Sequence, residues 1–217
     1  MKLVWCPDTA SKAYIDTVKS CEVFEESSVA ELVSAMAGGW KPQLIVETWF
    51  HGGVITTSVG LAVASRHTCG RHVCVVPDEQ AKLDYIEEMR KACDISPEVI
   101  VGEVEEVMRS LVGIDFLVVD CRRKDFARTL SLAQLSNRGA VLVCKNSTAR
   151  SLNFRWRSVV DGGSRIVRSV NLPVGKGLEI AYVATGGISK GSSPGKATTR
   201  WVRHIDQLSG EEHVYRR

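Results

Sequence analysis

The chain has 217 residues, of which 44% are hydrophobic, so its length and composition suit one main domain with a sizeable buried core. Its formal net charge of +3 gives little electrostatic reason to expect nucleic acid or an anionic membrane as the partner of the whole molecule. The sequence shows no signal-peptide pattern and no apolar run near the roughly 20 residues of a membrane helix, so we expect a soluble protein. Its seven cysteines contain no C-x-x-C pair, which fits a reducing compartment. We therefore expect a cytoplasmic protein, and a nuclear location is also compatible.

Two helices are predicted before the first strand. Asp8 is one of several capping residues at the start of a short first helix. Apolar residues then repeat at helical spacing through residues 27–37. Gly38 and Gly39 follow directly and suit a helix stop.

Apolar strands alternate with helices through the middle of the chain. Continuously apolar strands in this arrangement indicate a parallel sheet covered on both faces. Two late strands, joined through Gly175, Lys176 and Gly177, predict an antiparallel edge pair. The expected fold class is therefore α/β: a doubly wound, mostly parallel sheet with antiparallel C-terminal edge strands. The strands are expected at residues 43–49, 72–77, 99–104, 114–120, 140–146, 164–174 and 177–184.

Residues 1–184 are expected to form this α/β domain, and residues 185–217 a separate segment. That segment begins with a Gly-, Ser- and Lys-rich stretch typical of a flexible linker, and it ends in RWVRHID and EEHVYRR, which flank QLSG and suit a basic hairpin or tail. Two interpretations fit its basic and aromatic residues: a surface for an RNA or protein partner, or a solvated charged face. A homodimer is also compatible with the sequence.

Candidate ligand-binding residues follow the strands, because ligands of open α/β sheets bind beyond the carboxyl ends of the strands. The triplet His51, Gly52 and Gly53 precedes a helix, where free amides favour an anion, although a tight strand-to-helix turn explains the same residues. The full candidate set is Glu47, Trp49, His51, Gly53, Asp78, Gly102, Glu103, Asp120, Lys145 and Asn146.

Two levels of resemblance to known families are visible. WCPDTASKAYIDTVKSC near the start and RWVRHIDQLSGEEHVYRR at the tail make nearly the whole chain resemble a plant-specific, methyltransferase-like family of unknown function. The ordered motifs VETWFHGG, VVPDE, IDFLVVDCRRKDF, GAVLVCKNS and LPVGKGLEIAYV also resemble, more distantly, the caffeoyl-coenzyme A and catechol type of O-methyltransferases. This second resemblance implies a Rossmann-like class I methyltransferase fold that binds S-adenosylmethionine.

The resemblance places the cofactor at the ends of the first strands. Glu47 and Gly53 match the first motif, where Trp49 replaces the family's close-approach glycine. In the family, an acid after the second strand holds the ribose hydroxyls. The matching residue here is Val76, which cannot accept hydrogen bonds from them. Asp78 has two compatible roles, as a substitute acceptor for the ribose or as the N-cap of the next helix. His51, Gly102, Glu103 and Asp120 complete the expected cofactor site.

The catalytic residues implied by the resemblance are Asp120, Lys145 and Asn146. In the relatives the matching positions hold a divalent cation, but Lys145 brings a positive charge to the middle position, so we expect no metal and an ammonium paired with Asp120. Arg123 matches a lysine proposed as the relatives' general base, and an arginine stays protonated. The expected function is methyltransferase-like with a small-molecule ligand, and either metal-independent or inactive. The alternative is a non-catalytic module that binds protein or RNA through its basic C-terminal region.

Overall fold

The computed structural model describes residues 5–149, 154–160 and 164–185, together with the backbone of residues 201–205 and 212–216. The chain divides into two units, Met1–Gly186 and Gly187–Arg217. The helices and strands of the first unit are, in chain order, α1 (Pro7–Ser20), α2 (Ser28–Trp40), β1 (Leu44–Thr48), α3 (Thr56–Thr68), β2 (Arg71–Val76), α4 (Glu79–Ala92), β3 (Glu98–Val101), α5 (Val104–Ser110), β4 (Val112–Ile114), β5 (Phe116–Asp120), α6 (Phe126–Leu132), β6 (Gln134–Leu135), β7 (Ala140–Lys145), β8 (Ser164–Leu172) and β9 (Leu178–Thr185).

The main sheet has seven strands in the order β3-β2-β1-β5-β7-β9-β8. Neighbours from β3 through β7 pair in parallel, whereas β9 runs antiparallel to both β7 and β8. β4 and β6 form a separate two-stranded parallel pair. The predicted fold class, a mostly parallel sheet with antiparallel C-terminal edge strands, is confirmed.

Both faces of the central strands are buried, which explains their continuously apolar sequence. Along β1, Val46 faces a core shared with α5 and α6, and Ile45 faces a core shared with α1, α2 and α3. Along β5, Leu117 and Val118 divide between the same two cores. Strand order reverses between β1 and β5, so the carboxyl ends of these two strands border the place where such sheets bind ligands.

The second helix ends later than the sequence predicts. α2 runs through Gly38 and Gly39 to Trp40, so the expectation that these glycines stop the helix was wrong. A Cβ atom at Gly38 would lie 2.8 Å from the carbonyl oxygen of Thr9 on α1, and one at Gly39 would overlap the ring of Trp5. The glycines therefore permit close packing of α2 against the N-terminal segment rather than ending it.

The second unit contains two strands, β10 (Trp201–Ile205) and β11 (Glu212–Arg216), which pair antiparallel. The predicted linker after Thr185 lies outside the described residues. None of the helices in the described part of the chain is long and apolar enough to cross a membrane.

Candidate functional site

A cavity of about 220 Å³ opens at the carboxyl ends of β1, β5 and β7, where the topology of the sheet predicts a ligand site. The start of α3, the loop after β5, the end of β7 and the β8–β9 connection all contribute to it. Of the predicted site residues, Lys145 and Asn146 line this cavity. The full lining is Glu26, Val29, Val54, Thr56, Thr57, Arg122, Lys145, Asn146, Gly175 and Lys176.

Asp120, the last residue of β5, has a fully buried carboxylate beside this cavity. It accepts hydrogen bonds from Asn146 Nδ2 at 2.9 Å, from the Arg122 backbone N–H at 2.9 Å and from Arg122 Nη2 at 2.8 Å. Burial alone would raise the pKa of Asp120, but the hydrogen bonds from Arg122, the charge of Lys145 and the bond from Asn146 outweigh it and hold this pKa below its ordinary value. The carboxylate is therefore ionised and well supplied with donors.

Lys145, the last residue of β7, is only 4% exposed and lines the cavity. The expected direct pairing with Asp120 is not what the structure shows, because Arg122 occupies that place and Lys145 acts on Asp120 through its charge alone. Within the described part of the chain, no carboxylate oxygen lies within 4.0 Å of Lys145 Nζ. The buried amine therefore presents its N–H donors to the cavity.

A divalent cation does not fit this set of residues. Both Asp120 oxygens already accept from Arg122, and the neighbouring Lys145 adds a second positive charge close to this carboxylate. Residues 5–149, 154–160 and 164–185 contain no cluster of three His, Cys, Asp or Glu side chains that could hold a metal ion. We derive no metal-assisted chemistry from this arrangement.

Glu47, on β1, has a carboxylate that is fully buried beneath α3 and α4. It accepts hydrogen bonds from Ser58 Oγ at 2.9 Å, Tyr85 Oη at 2.9 Å and His72 Nε2 at 3.0 Å. Burial opposes ionisation, but the hydrogen bond from His72, the charge of Lys145 and the bond from Ser58 lower the pKa of Glu47 below its ordinary value. Glu47 thus belongs to a polar network inside the core, and it does not line the cavity.

Trp49 points into the core and leaves the cavity open. It is 1% exposed and packs edge to face against Tyr85, with ring centroids 5.4 Å apart. A Cβ atom at Gly53 would lie 2.9 Å from Trp49 Nε1, so this glycine makes room for the indole. The indole N–H is buried and has no hydrogen-bond partner among the residues that the structure describes.

The triplet that begins at His51 forms a tight turn. Gly53 N donates to Phe50 O at 2.8 Å, and Gly52 has a φ of 73°, in the region that favours glycine. His51 is exposed and its Nδ1 contacts Asp84 on α4, outside the cavity lining. Thr56 and Thr57, at the start of α3, line the cavity instead.

The remaining predicted cofactor residues lie at the ends of β2 and β3. Asp78 caps α4, because its Oδ1 accepts from Ala81 N at 2.7 Å. Asp78 is exposed, and its Oδ2 makes no hydrogen bond with the described residues, so the capping role leaves one acceptor for a ligand. Gly102 N donates to Val76 O at 3.1 Å, and the exposed Glu103 follows at the start of α5.

Four residues at the site were not predicted from the sequence: Phe50, Arg122, Thr56 and Thr57. The guanidinium carbon of Arg122 lies 5.0 Å from the ring centroid of Phe50, which joins the loops after β5 and β1, and Arg123 lies 5.9 Å from the same ring. Arg123 also pairs with Asp125, with 2.5 Å between Nη2 and Oδ2. A polar residue at the start of a helix that follows a strand, such as Thr56, and a basic residue two positions after a strand-end acid were the available sequence signals.

The main sheet and its helices form a Rossmann-like α/β fold, which methyltransferases of known structure share. The solved structures that resemble it include a methyltransferase from Geobacter sulfurreducens (21% identity, TM-score 0.54, covering 80% of this chain and 88% of that chain). They also include the S-adenosylhomocysteine-bound methyltransferase PaMTH1 from Podospora anserina (15%, 0.55, 83% and 89%) and the O-methyltransferase TomG from Streptomyces achromogenes in complex with S-adenosylmethionine (18%, 0.54, 80% and 90%). At such identities the likeness shows the fold alone.

The family of the chain is shown by its sequence. Residues 1–217 match the model of DUF1442, a family described as a protein of unknown function, and the chain belongs to this family. A search of curated proteins found no match. The predicted membership of a family of unknown function with a methyltransferase-like fold is confirmed.

Proposed function

We propose that the protein binds S-adenosylmethionine at the strand ends and acts as a metal-independent methyltransferase on a small molecule held in the cavity. The observation that carries this proposal is the buried, unpaired Lys145 beside Asp120 and Asn146. In the O-methyltransferases that the sequence resembles, a metal cation is held by the matching positions. A lysine there offers a fixed positive charge for an acceptor oxygen without a metal.

The cofactor fits the residues at the ends of β2 and β3. The free Oδ2 of Asp78 and the exposed carboxylate of Glu103 would accept hydrogen bonds from ribose hydroxyls or the adenine amine. Trp49 supports this placement because its indole lies in the core instead of the cavity. Bound S-adenosylmethionine supplies an electrophilic methyl group.

The chain's own residues then orient and polarise the acceptor. Lys145 donates hydrogen bonds to an acceptor oxygen that is already ionised when it binds, so methylation of that oxygen leaves no proton to be removed. Phe50 and Arg122 join the loops after β1 and β5 across the strand ends, where they exclude water from one side of the site. Arg123 holds its proton and is paired with Asp125, so Arg123 itself cannot act as a base.

Calorimetry with S-adenosylmethionine and S-adenosylhomocysteine tests the proposal. We expect saturable binding that is unchanged by a metal chelator. Asp78→Asn should weaken binding by roughly tenfold, the cost of one hydrogen bond to a charged group, while asparagine still caps α4. The neighbouring exposed Glu79→Gln serves as the matched control. No heat and no thermal shift at millimolar ligand would overturn cofactor binding.

A turnover assay distinguishes an active methyltransferase from a protein that binds the cofactor without catalysis. A methyltransferase should release S-adenosylhomocysteine when supplied with an acceptor, and this release should not depend on added magnesium. Cofactor binding without turnover across a broad panel of small acceptors would instead support the non-catalytic alternative. The basic C-terminal partner surface, the homodimer, the cytoplasmic location and restriction to plants stay predictions.

A further inference from the structure

The polar lining of the cavity is rich in donors and poor in acceptors. Lys145 presents N–H groups for which the described residues provide no hydrogen-bond acceptor, and it is 4% exposed. Thr56, Thr57 and Lys176 add further donors to the lining. Because the Lys145 amine reaches the cavity and pairs with no described carboxylate, a ligand that brings acceptor oxygens gains charge-assisted hydrogen bonds there.

The start of α3 supplies a second, independent group of donors. This helix has 13 residues, no side-chain N-cap and no acidic residue in its first turn. Its first internal hydrogen bond runs from Val59 N to Ile55 O, so the N–H groups of Thr56, Thr57 and Ser58 precede the helical ladder. Thr56 and Thr57 are 4% and 2% exposed and line the cavity. Free amides together with the helix dipole favour a negative charge at this end.

The acids near the cavity do not satisfy these donors. Asp120 and Glu47 lie close enough for Lys145 to lower their pKa values, but each already accepts several other hydrogen bonds. Glu26 lines the cavity on the side of Gly175, where a Cβ atom would lie 3.2 Å from its Oε1. Three basic residues line the same cavity, and only one of them, Arg122, is committed to Asp120.

We infer that the cavity binds the carboxylate or phosphate group of its acceptor substrate between Lys145 and the first-turn amides of α3. Both groups are compact oxyanions that accept several hydrogen bonds at once. Val29 and Val54 line the same cavity and suit an apolar carbon body attached to the anion. Assignment of the anion to the acceptor rests on the proposed function, whereas the anion site itself does not.

Titration of ¹⁵N-labelled protein with benzoate and phenyl phosphate tests the site, with uncharged benzamide as the ligand control. We expect saturable downfield shifts of the Thr56 and Thr57 amide protons with the anions and none with benzamide. The anion that binds more tightly shows whether the site prefers a carboxylate or a phosphate group. Absence of these shifts, or equal binding of benzamide, would overturn the inference.

Lys145→Met should weaken anion binding by roughly 10- to 100-fold, the range expected for loss of charge-assisted hydrogen bonds. Lys12→Met, on the exposed face of α1, removes the same charge away from the cavity and should leave binding unchanged. If Lys145→Met does not fold, Lys176→Gln at the cavity provides the second variant, and a weaker but measurable loss is expected. Full binding by a folded Lys145→Met protein would refute the role of this lysine.

A competition experiment distinguishes the acceptor from the cofactor. With S-adenosylmethionine at saturating concentration, benzoate should still bind, because the acceptor and the cofactor occupy different places. Competition would overturn the assignment to the acceptor and give the site to the cofactor's own carboxylate. Failure of S-adenosylmethionine to bind, combined with intact anion binding, would refute the proposed function and leave the anion site standing.

Discussion

Replacement of Tyr85 by phenylalanine tests whether the buried carboxylate of Glu47 depends on its hydrogen-bond network. The Tyr85 hydroxyl donates to Glu47 Oε1 at 2.9 Å, and both side chains are fully buried. Phenylalanine keeps the ring and its edge-to-face contact with Trp49, so Tyr85→Phe removes little more than one hydrogen bond.

The expected cost follows from what remains around the carboxylate. A hydrogen bond to a charged group contributes about 1.5–3 kcal/mol, and loss of all partners of a buried charge costs more. Because His72 Nε2 still donates to Oε1 and Ser58 Oγ to Oε2, Glu47 keeps two of its three side-chain donors. We therefore expect a loss of about 2 kcal/mol, which corresponds to a fall in melting temperature of roughly 4–8 °C for a domain of this size.

Urea denaturation of wild type and Tyr85→Phe provides the measurement. The midpoint should fall with an unchanged m-value, since the surface exposed on unfolding stays the same. Tyr14→Phe, at a position that is 44% exposed, should change the free energy of unfolding by less than about 0.5 kcal/mol. A loss below about 0.5 kcal/mol in Tyr85→Phe would refute the assignment of an ionised Glu47 held by this network.

Three further outcomes are expected. Gly38→Ala should destabilise the fold by about 1 kcal/mol in urea, because the new Cβ would lie 2.8 Å from Thr9 O and the cost of overpacking exceeds the gain in helix propensity; unchanged or higher stability would contradict the packing argument. The folded pKa of Asp120 lies below its ordinary value of 3.8, so its contribution to stability is present above that pH and is lost as the pH falls through the folded pKa; Asp120→Asn should flatten the stability curve below about pH 4, and parallel curves would contradict this. Magnesium should produce no saturable heat in calorimetry and a chelator no change in melting temperature, whereas a rise in melting temperature with magnesium that the chelator reverses would refute the charge argument at Lys145.

The strands, the mostly parallel sheet and its helical layers were predictable because they follow from local pattern. Strands buried on both faces carry continuous apolar runs, such as Ala140–Lys145, and the helices between them carry caps, such as Asp78. The end of α2 was not predictable. A glycine pair usually indicates the end of a helix, and only the surface against which these glycines pack shows that the helix continues through them. Gly38 lies against α1, a tertiary contact that leaves no mark in the spacing of residues along α2.

The candidate site was predictable in its location but not in its pairings. Strand ends identified Asp120, Lys145 and Asn146, and the structure places all three at neighbouring strand ends. Which cation pairs with Asp120 depends on side-chain geometry, and sequence reasoning chose Lys145 where the structure has Arg122. For the same reason, Glu47 was assigned to a cofactor whereas its carboxylate contacts are with three core side chains that no motif connects to it.

The pairing of Asp120 with Arg122 bears on both proposals, a site without a metal and a site for an anion. Arg122 reaches both carboxylate oxygens, with Nε 3.1 Å from Oδ1 and Nη2 2.8 Å from Oδ2, and so neutralises the charge that a metal would need. Because Arg122 takes this place, Lys145 is left buried beside the cavity without an acceptor of its own. If Lys145 were paired with Asp120, that carboxylate would neutralise its charge, and the lysine would have no charge available for a ligand. A lysine displaced from that pair keeps its charge available, and the ligand that best satisfies it is one that brings an oxyanion.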